Sequence, residues 1–147
     1  MSQSIARFAL AGALLLFASP GDARNTFHDL DVAKARAEGA GHENVSDLPI
    51  YMHGQNHPAV AEDLGVFTAN RSTNAANKSD EAACQIAFLS AVISLQDRAR
   101  SLGAHAVIDV RSVTRNQKLE SPTQYRCVAG TFVAGVALEG RMVNFKK

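Results

Sequence analysis

The chain has 147 residues, a formal net charge of +1, 46% hydrophobic and 20% charged residues, no Trp and two Cys. That length suits one domain of ordinary size, and the composition excludes collagenous, low-complexity and coiled-coil chains. A charge this near zero supplies no concentrated basic face, so nucleic acid is not an expected partner.

Arg7 gives a short positive start, and residues 8–18 (FALAGALLLFA) run without a charge until Ser19-Pro20-Gly21 breaks the pattern. Gly21 and Ala23 are small residues at the −3 and −1 positions of a cleavage site. This order predicts a secretory signal peptide over residues 1–23. A membrane span needs ~20 apolar residues, more than this run has. The other reading, a buried N-terminal helix, would be ended abruptly by Pro20 and Gly21. No Cys lies near the cleavage point to accept a lipid. The expected mature protein is soluble and periplasmic or secreted, with no stable membrane insertion once the leader is removed.

Residues 24–47 are polar and read as a partly ordered lead-in. Within them Asp29 or Asp31 can cap a short helix over residues 32–38 (VAKARAE) that Gly39 stops. Residues 48–53 (LPIYMH) read as a short strand, with Pro49 at its start and Gly54 after it. Residues 64–70 (LGVFTAN) read as a second, with Gly65 marking a bulge. Ser79 then caps a long helix whose apolar residues Cys84, Phe88, Ala91, Leu95 and Leu102 recur at helical spacing, up to a stop at Gly103. Gln85, Gln96, Asp97, Arg98 and Arg100 are expected on its wet face. Residues 106–113 (AVIDVRSV) form a strand, residues 114–123 a polar excursion, and residues 125–138 (YRCVAGTFVAGVAL) one long strand with bends at Gly130 and Gly135. Residues 138–143 either turn at Gly140 or continue it.

Strand, strand, long helix, strand, long strand predicts an α+β fold over residues 48–147. One long amphipathic helix packs on a small, mostly antiparallel sheet of about four strands. Export carries Cys84 and Cys127 to an oxidising compartment, where only one pairing within the chain exists. A Cys84–Cys127 disulfide would pin the start of the helix to the last strand. Two buried free thiols, or a redox pair, are the alternatives, the latter without the C-x-x-C spacing that lowers a thiol pKa.

The segments PIYMHGQNHP, NKSDEAACQIAFLSA, QDRARSLGAHAVI and YRCVAGTFVAGVAL, spread over residues 48–143, resemble a group of small exported proteobacterial proteins often labelled "excinuclease ATPase subunit". More distantly, the helix, the G-A-x-A-V strand and the Cys-bearing final strand are similar to the outer-membrane Rcs stress-sensor lipoprotein (RcsF-like) and the YbjQ-type domain. The resemblance implies a small α/β module without known catalysis that signals through partners. The membrane-tethered role does not carry over, because this chain has one possible disulfide and no lipidated Cys. The ATPase label fails as chemistry. Cradling phosphates needs G-x-x-x-x-G-K-[ST], which is not in this sequence, and two widely spaced Cys cannot build the zinc modules of such subunits.

Two imidazoles, His53 and His57, stand four residues apart. That spacing suits a divalent transition metal on a helix, but Gly54 and Pro58 argue for a loop. No G-x-S-x-G elbow occurs, and Asp97, Asp109 and Glu120 have no sequence reason to pair as acid and base. Residues 24–81 carry five basic and nine acidic side chains, residues 82–147 nine basic and four acidic; the halves either attract each other or leave the C-terminal half a mildly basic face, and solvated surface is the commoner meaning of such an imbalance. The expected function is a non-enzymatic binding or envelope-sensing module without a resident cofactor. Its partner is an unknown envelope protein or small ligand. Tyr51 and the following loop, or Arg111, Arg115 and Arg126, are the expected contacts. A metal-binding envelope protein using His53 and His57 is the alternative, and a hydrolase the weakest one.

Overall fold

The structure, a computed structural model, describes residues 24–147; the expected signal peptide, residues 1–23, lies outside the described residues. The chain order is β1 (Thr26–Asp31), α1 (Val32–Glu38), β2 (Ile50–Met52), β3 (Val60–Asn74), α2 (Asp80–Ser101), β4 (Ala106–Ser112), β5 (Gln124–Ala129) and β6 (Val133–Phe145). Two 3-10 turns, at His42–Asn44 and Thr114–Asn116, complete it. The class is α+β, as expected, but there are two helices rather than one and six strands rather than four. The sheet is mixed, because β2 runs parallel to β4 while every other pair is antiparallel.

Helix α2 forms where the local signals put it. The Ser79 hydroxyl accepts from the Ala82 amide at 3.1 Å, and Asp80 and Glu81 occupy the first turn, at the positive end of the dipole. Gly103 leaves the helix at φ 70°, a left-handed conformation that glycine adopts without a Cβ clash. The buried residues Cys84, Phe88, Ala91 and Leu95 follow the predicted period and face the sheet. Phe88 stacks on Tyr125 of β5 at 4.1 Å between ring centroids. Cys84 and Cys127 are joined by a disulfide across 43 positions, with Cα atoms 5.8 Å apart, so the first turns of α2 are tied to β5. Gln96 departs from expectation, being only 1% exposed. Its amide accepts from the Ser46 amide and donates to the Ser46 and Leu48 carbonyls, so a polar side chain is buried because loop backbone satisfies it.

The stretch expected as one long strand is a hairpin. β5 ends at Ala129, the Gly130 amide donates to the Val133 carbonyl at 2.8 Å, and β6 returns to Phe145 without turning at Gly140. Alternation along β6 then assigns its residues to two faces. Ala134, Val136, Leu138 and Met142 join the core under α2. Gly140 is on the same side, where a Cβ would stand 2.5 Å from Val107 Cγ1, so only glycine lets β6 cross the β4 side chains there. Gly135, Ala137, Glu139, Arg141 and Val143 alternate with these and point away from the helix.

Residues 24–47, expected as a partly ordered lead-in, are tied into this sheet. β1 pairs with β5 from Thr26↔Ala129 to Asp31↔Gln124. Asp31 caps α1 by accepting from the Lys34 amide, and Gly39 ends that helix as predicted. What holds β1 is ionic as much as apolar. Asp29 grips Arg126 through two bonds of 2.7 and 2.8 Å, while Arg24 and His28 both reach Asp80 at the start of α2. Asp80, held by the Arg24 guanidinium first and His28 second, has its pKa lowered to about 2.

One topological feature positions the site. Strand β6 has β3 along one edge for its whole length, from Val60↔Phe145 to Asn74↔Val133. Its other edge is shared: β5 pairs with Gly135 and Ala134, and β4 pairs with residues 138–143. Between those two partners the sheet splits. The segment after β4 fills the split: the Val113 amide donates to the Ala137 carbonyl at 2.8 Å. The Thr114 hydroxyl donates to the Arg126 carbonyl at 2.7 Å and accepts from the Ala137 amide at 3.0 Å.

Candidate functional site

The face of the sheet that carries no helix holds every contact residue expected from the sequence, but not in equivalent states. Arg111 lies opposite Glu139 in the β4–β6 register, and its guanidinium is surrounded by acids. It donates to Glu120 at 2.7 Å, bonds Asp109, and has Glu139 at 3.7 Å. Arg126 is held by Asp29, which depresses the Asp29 pKa through that hydrogen bond and raises that of Arg126. Arg115 differs: it is exposed, and among the described residues it makes no ion pair or hydrogen bond. Its sequence neighbours explain why it projects. Thr114 is fixed in the split, and Arg115 and Asn116 both adopt left-handed backbone, at φ 51° and 60°, which turns the chain back over the sheet. Two consecutive non-glycine residues in that region are costly and persist only where the surroundings hold them.

Beneath Arg115 lies a pocket of about 400 Å³. Its floor is Gly135 and Ala137 of β6, flanked by Val128 of β5 and by Asn70 and Ser72 of β3. Phe132 and Val133, at the β5–β6 turn, form part of its mouth and are 72% and 57% exposed. The charged residues lining it are Arg24 and Arg115, with no carboxylate among them. Arg24 is neutralised by Asp80 and also donates to the Gly130 carbonyl. The unneutralised charge at this pocket is therefore that of Arg115.

The histidine end of the face is built differently. The His53 Nδ1–H donates to Asp109 Oδ1 at 2.5 Å, and its Nε2 faces Glu120 at 3.4 Å. Asp109 itself has φ 52° at the irregularity where the β4–β6 register shifts, which aims its carboxylate between His53 and Arg111. His57 faces elsewhere: it donates to the Pro58 carbonyl and stacks on Phe145 at 6.2 Å, with Tyr51 edge-on at 5.8 Å. Gly54, at φ 85°, makes a turn between the two histidines, so their spacing of four has no helical meaning. Both line one shallow depression of about 390 Å³ but share no partner. Among the described residues, no set of three or more His, Cys, Asp or Glu is arranged to hold a metal ion. The cation that the carboxylates near His53 enclose is the Arg111 guanidinium. Tyr51 packs with Phe145 in a small apolar cluster around Ala106, Ile108 and Val143.

A His–Asp pair can orient an imidazole as a base, but here Nε2 meets a carboxylate, and among the described residues neither ring nitrogen bonds a serine, threonine or cysteine. Among those residues no helix is long and apolar enough to cross a membrane. Comparison with known proteins finds no matching family model, no similar curated protein and no similar solved structure.

Sequence reasoning named Arg115 but not the pocket beneath it. The signal available was two small residues of like parity, Gly135 and Ala137, inside a β-branched strand; they leave a gap on one face only. It also missed the His53–Asp109 pair, because Asp109 turns out of strand alternation.

Proposed function

We propose that the chain is an exported, non-enzymatic binding or envelope-sensing module whose contact surface is the helix-free face of its sheet, centred on Arg115. The observation that carries this is the contrast among its arginines. Arg111 and Arg126 are neutralised by acids, whereas Arg115 is held unpaired above a pocket lined by no carboxylate. An exposed, uncompensated cation over a concave surface is poised for a partner group of opposite charge. Export is supported by the disulfide, which persists in oxidising compartments, and the resemblance to envelope modules that act through partners favours binding over catalysis. The test is chemical cross-linking of the exported chain in intact cells. Arg115→Ala is expected to lose adducts that Arg98→Ala, on the helix-bearing side of the sheet where Arg98 lies over the Phe67 ring, retains. Equal adduct profiles for both variants would overturn the placement.

A second reading has one observation in its favour: His53 and His57 line the same depression beside Asp109. On that reading the chain is a metal-binding envelope protein. Calorimetric titration with Zn²⁺, Cu²⁺ and Ni²⁺ separates the two, since micromolar binding abolished by His53→Ala favours the metal. Heat of dilution alone removes it.

A further inference from the structure

The pocket at the split in the sheet has a shape and a charge that together define a ligand. Its depth comes from missing side chains. A Cβ on Gly135 would have its nearest neighbours at 3.7 to 4.0 Å, so the position has room for a side chain and carries none. Glycine inside a strand gives up packing and backbone entropy, and the close approach of a ligand is one of the settings in which such a position occurs. The volume, about 400 Å³, lies at the small end of the ~300–1,000 Å³ range of ligand pockets. One wall is apolar, from Val128 through Ala137 to the exposed Phe132 and Val133. The opposite wall offers the polar side chains of Asn70 and Ser72, beneath Arg115.

We propose that this pocket binds a small amphiphilic carboxylate, with its acid group on the Arg115 guanidinium and its short apolar chain along Val128, Gly135 and Ala137 towards Phe132. The proposal rests on the reading of the helix-free face as a binding surface and names the class of ligand it takes. One free guanidinium matches one carboxylate, through two parallel N–H donors to two oxygens. A phosphate dianion calls for a second cation; the other one lining this pocket, Arg24, is paired with Asp80, and Lys118 joins Arg115 only in the adjoining depression, which Glu139 also lines. The apolar chain accounts for the exposure of Phe132 and Val133 at the mouth, since a bound alkyl group covers them. Thr114 anchors the backbone at the rim: its hydroxyl is fixed between the Arg126 carbonyl and the Ala137 amide, one residue before Arg115.

The experiment is amide chemical-shift titration of the exported, oxidised chain with octanoate, octanol and acetate. Octanoate is expected to move Val128, Gly135, Ala137 and Phe132 saturably. Octanol, which keeps the chain but not the charge, and acetate, which keeps the charge but not the chain, should each bind about 10-fold more weakly or worse. Arg115→Ala should weaken octanoate by a similar factor while leaving the other resonances in place, and Arg115→Lys should restore part of the loss. Octanoate and octanol binding alike, shifts that map elsewhere, or an Arg115→Ala variant that binds unchanged would each overturn the proposal. A photo-reactive residue at Ser72, used in cells, separates the two levels of failure. Adducts that need Arg115 but are not displaced by octanoate leave the binding face standing and remove the carboxylate; no adducts at all remove both.

Discussion

The two faces of the sheet are built from the same strands and do opposite things. Under α2, alternate residues of β5 and β6 (Tyr125, Cys127, Val136, Leu138 and Met142) are fully buried against Phe88, Leu89 and Leu95 and tied by the disulfide. On the other face the intervening residues, Arg126, Gly135, Ala137, Glu139 and Arg141, make ion pairs or leave a gap. Burial of the first set supplies stability, at ~1.5–3 kcal/mol for each large side chain before entropy is counted. The second set adds little stability for its area, because partly exposed ion pairs contribute ~0–1 kcal/mol. The helix-free face thus combines ion pairs, a small apolar cluster around Val143 and one unfilled stretch at Gly135 and Ala137, on a sheet whose other side packs against α2.

The largest break in this comparison comes from the packed face. Replacing Cys84 and Cys127 together by Ala should cost up to ~4 kcal/mol, the chain-entropy value for a loop of this length, read as a lower urea midpoint than that of the oxidised chain. Gly140→Ala should follow at ~1–3 kcal/mol, because the new methyl would meet Val107 Cγ1 at 2.5 Å and Val110 Cγ2 at 3.2 Å. The acid network linking β1 to α2 gives a pH signature. Asp80 is lowered to about 2 in the fold, against ~3.9 unfolded, so its stabilisation is complete above pH ~4 and is lost as the pH falls towards 2. Asp80→Asn should flatten that part of the stability–pH curve measured by urea unfolding. Tyr125→Phe should cost almost nothing, although Tyr125 is fully buried, because among the described residues its hydroxyl has no hydrogen-bond partner. Arg115→Ala, on the open face, should leave the unfolding free energy measured in urea unchanged within ~0.5 kcal/mol.

What was legible in the sequence is what depends on neighbours in the chain. The Ser79 cap, the period of Cys84, Phe88 and Leu95, the stop at Gly103 and the Asp31 cap of α1 are local signals, and the disulfide followed from having two cysteines to pair. β1 was illegible because Phe27 and Leu30 are its only large apolar residues, and its anchors Arg126 and Asp80 lie 97 and 52 positions from Asp29 and His28. The hairpin within residues 125–138 was hidden because Gly130 and Gly135 look alike in sequence, yet one makes the turn and the other floors the pocket. The basic residues of the site were visible; which of them stays free was not, since neutralisation of Arg111 and Arg126 depends on acids brought in by other segments. Gln96 reads as a wet-face residue because its loop partners, Ser46 and Leu48, cannot be seen from the helix.

The most direct test compares the faces within one experiment. Photo-reactive residues are placed singly at Ser72, on the helix-free face, and at Asp97, on the outer surface of α2, in the full chain expressed in intact cells. The account predicts discrete adducts from position 72 that vanish with Arg115→Ala, and none from position 97. Adducts from position 97 alone, or adducts from position 72 that persist without Arg115, would contradict it.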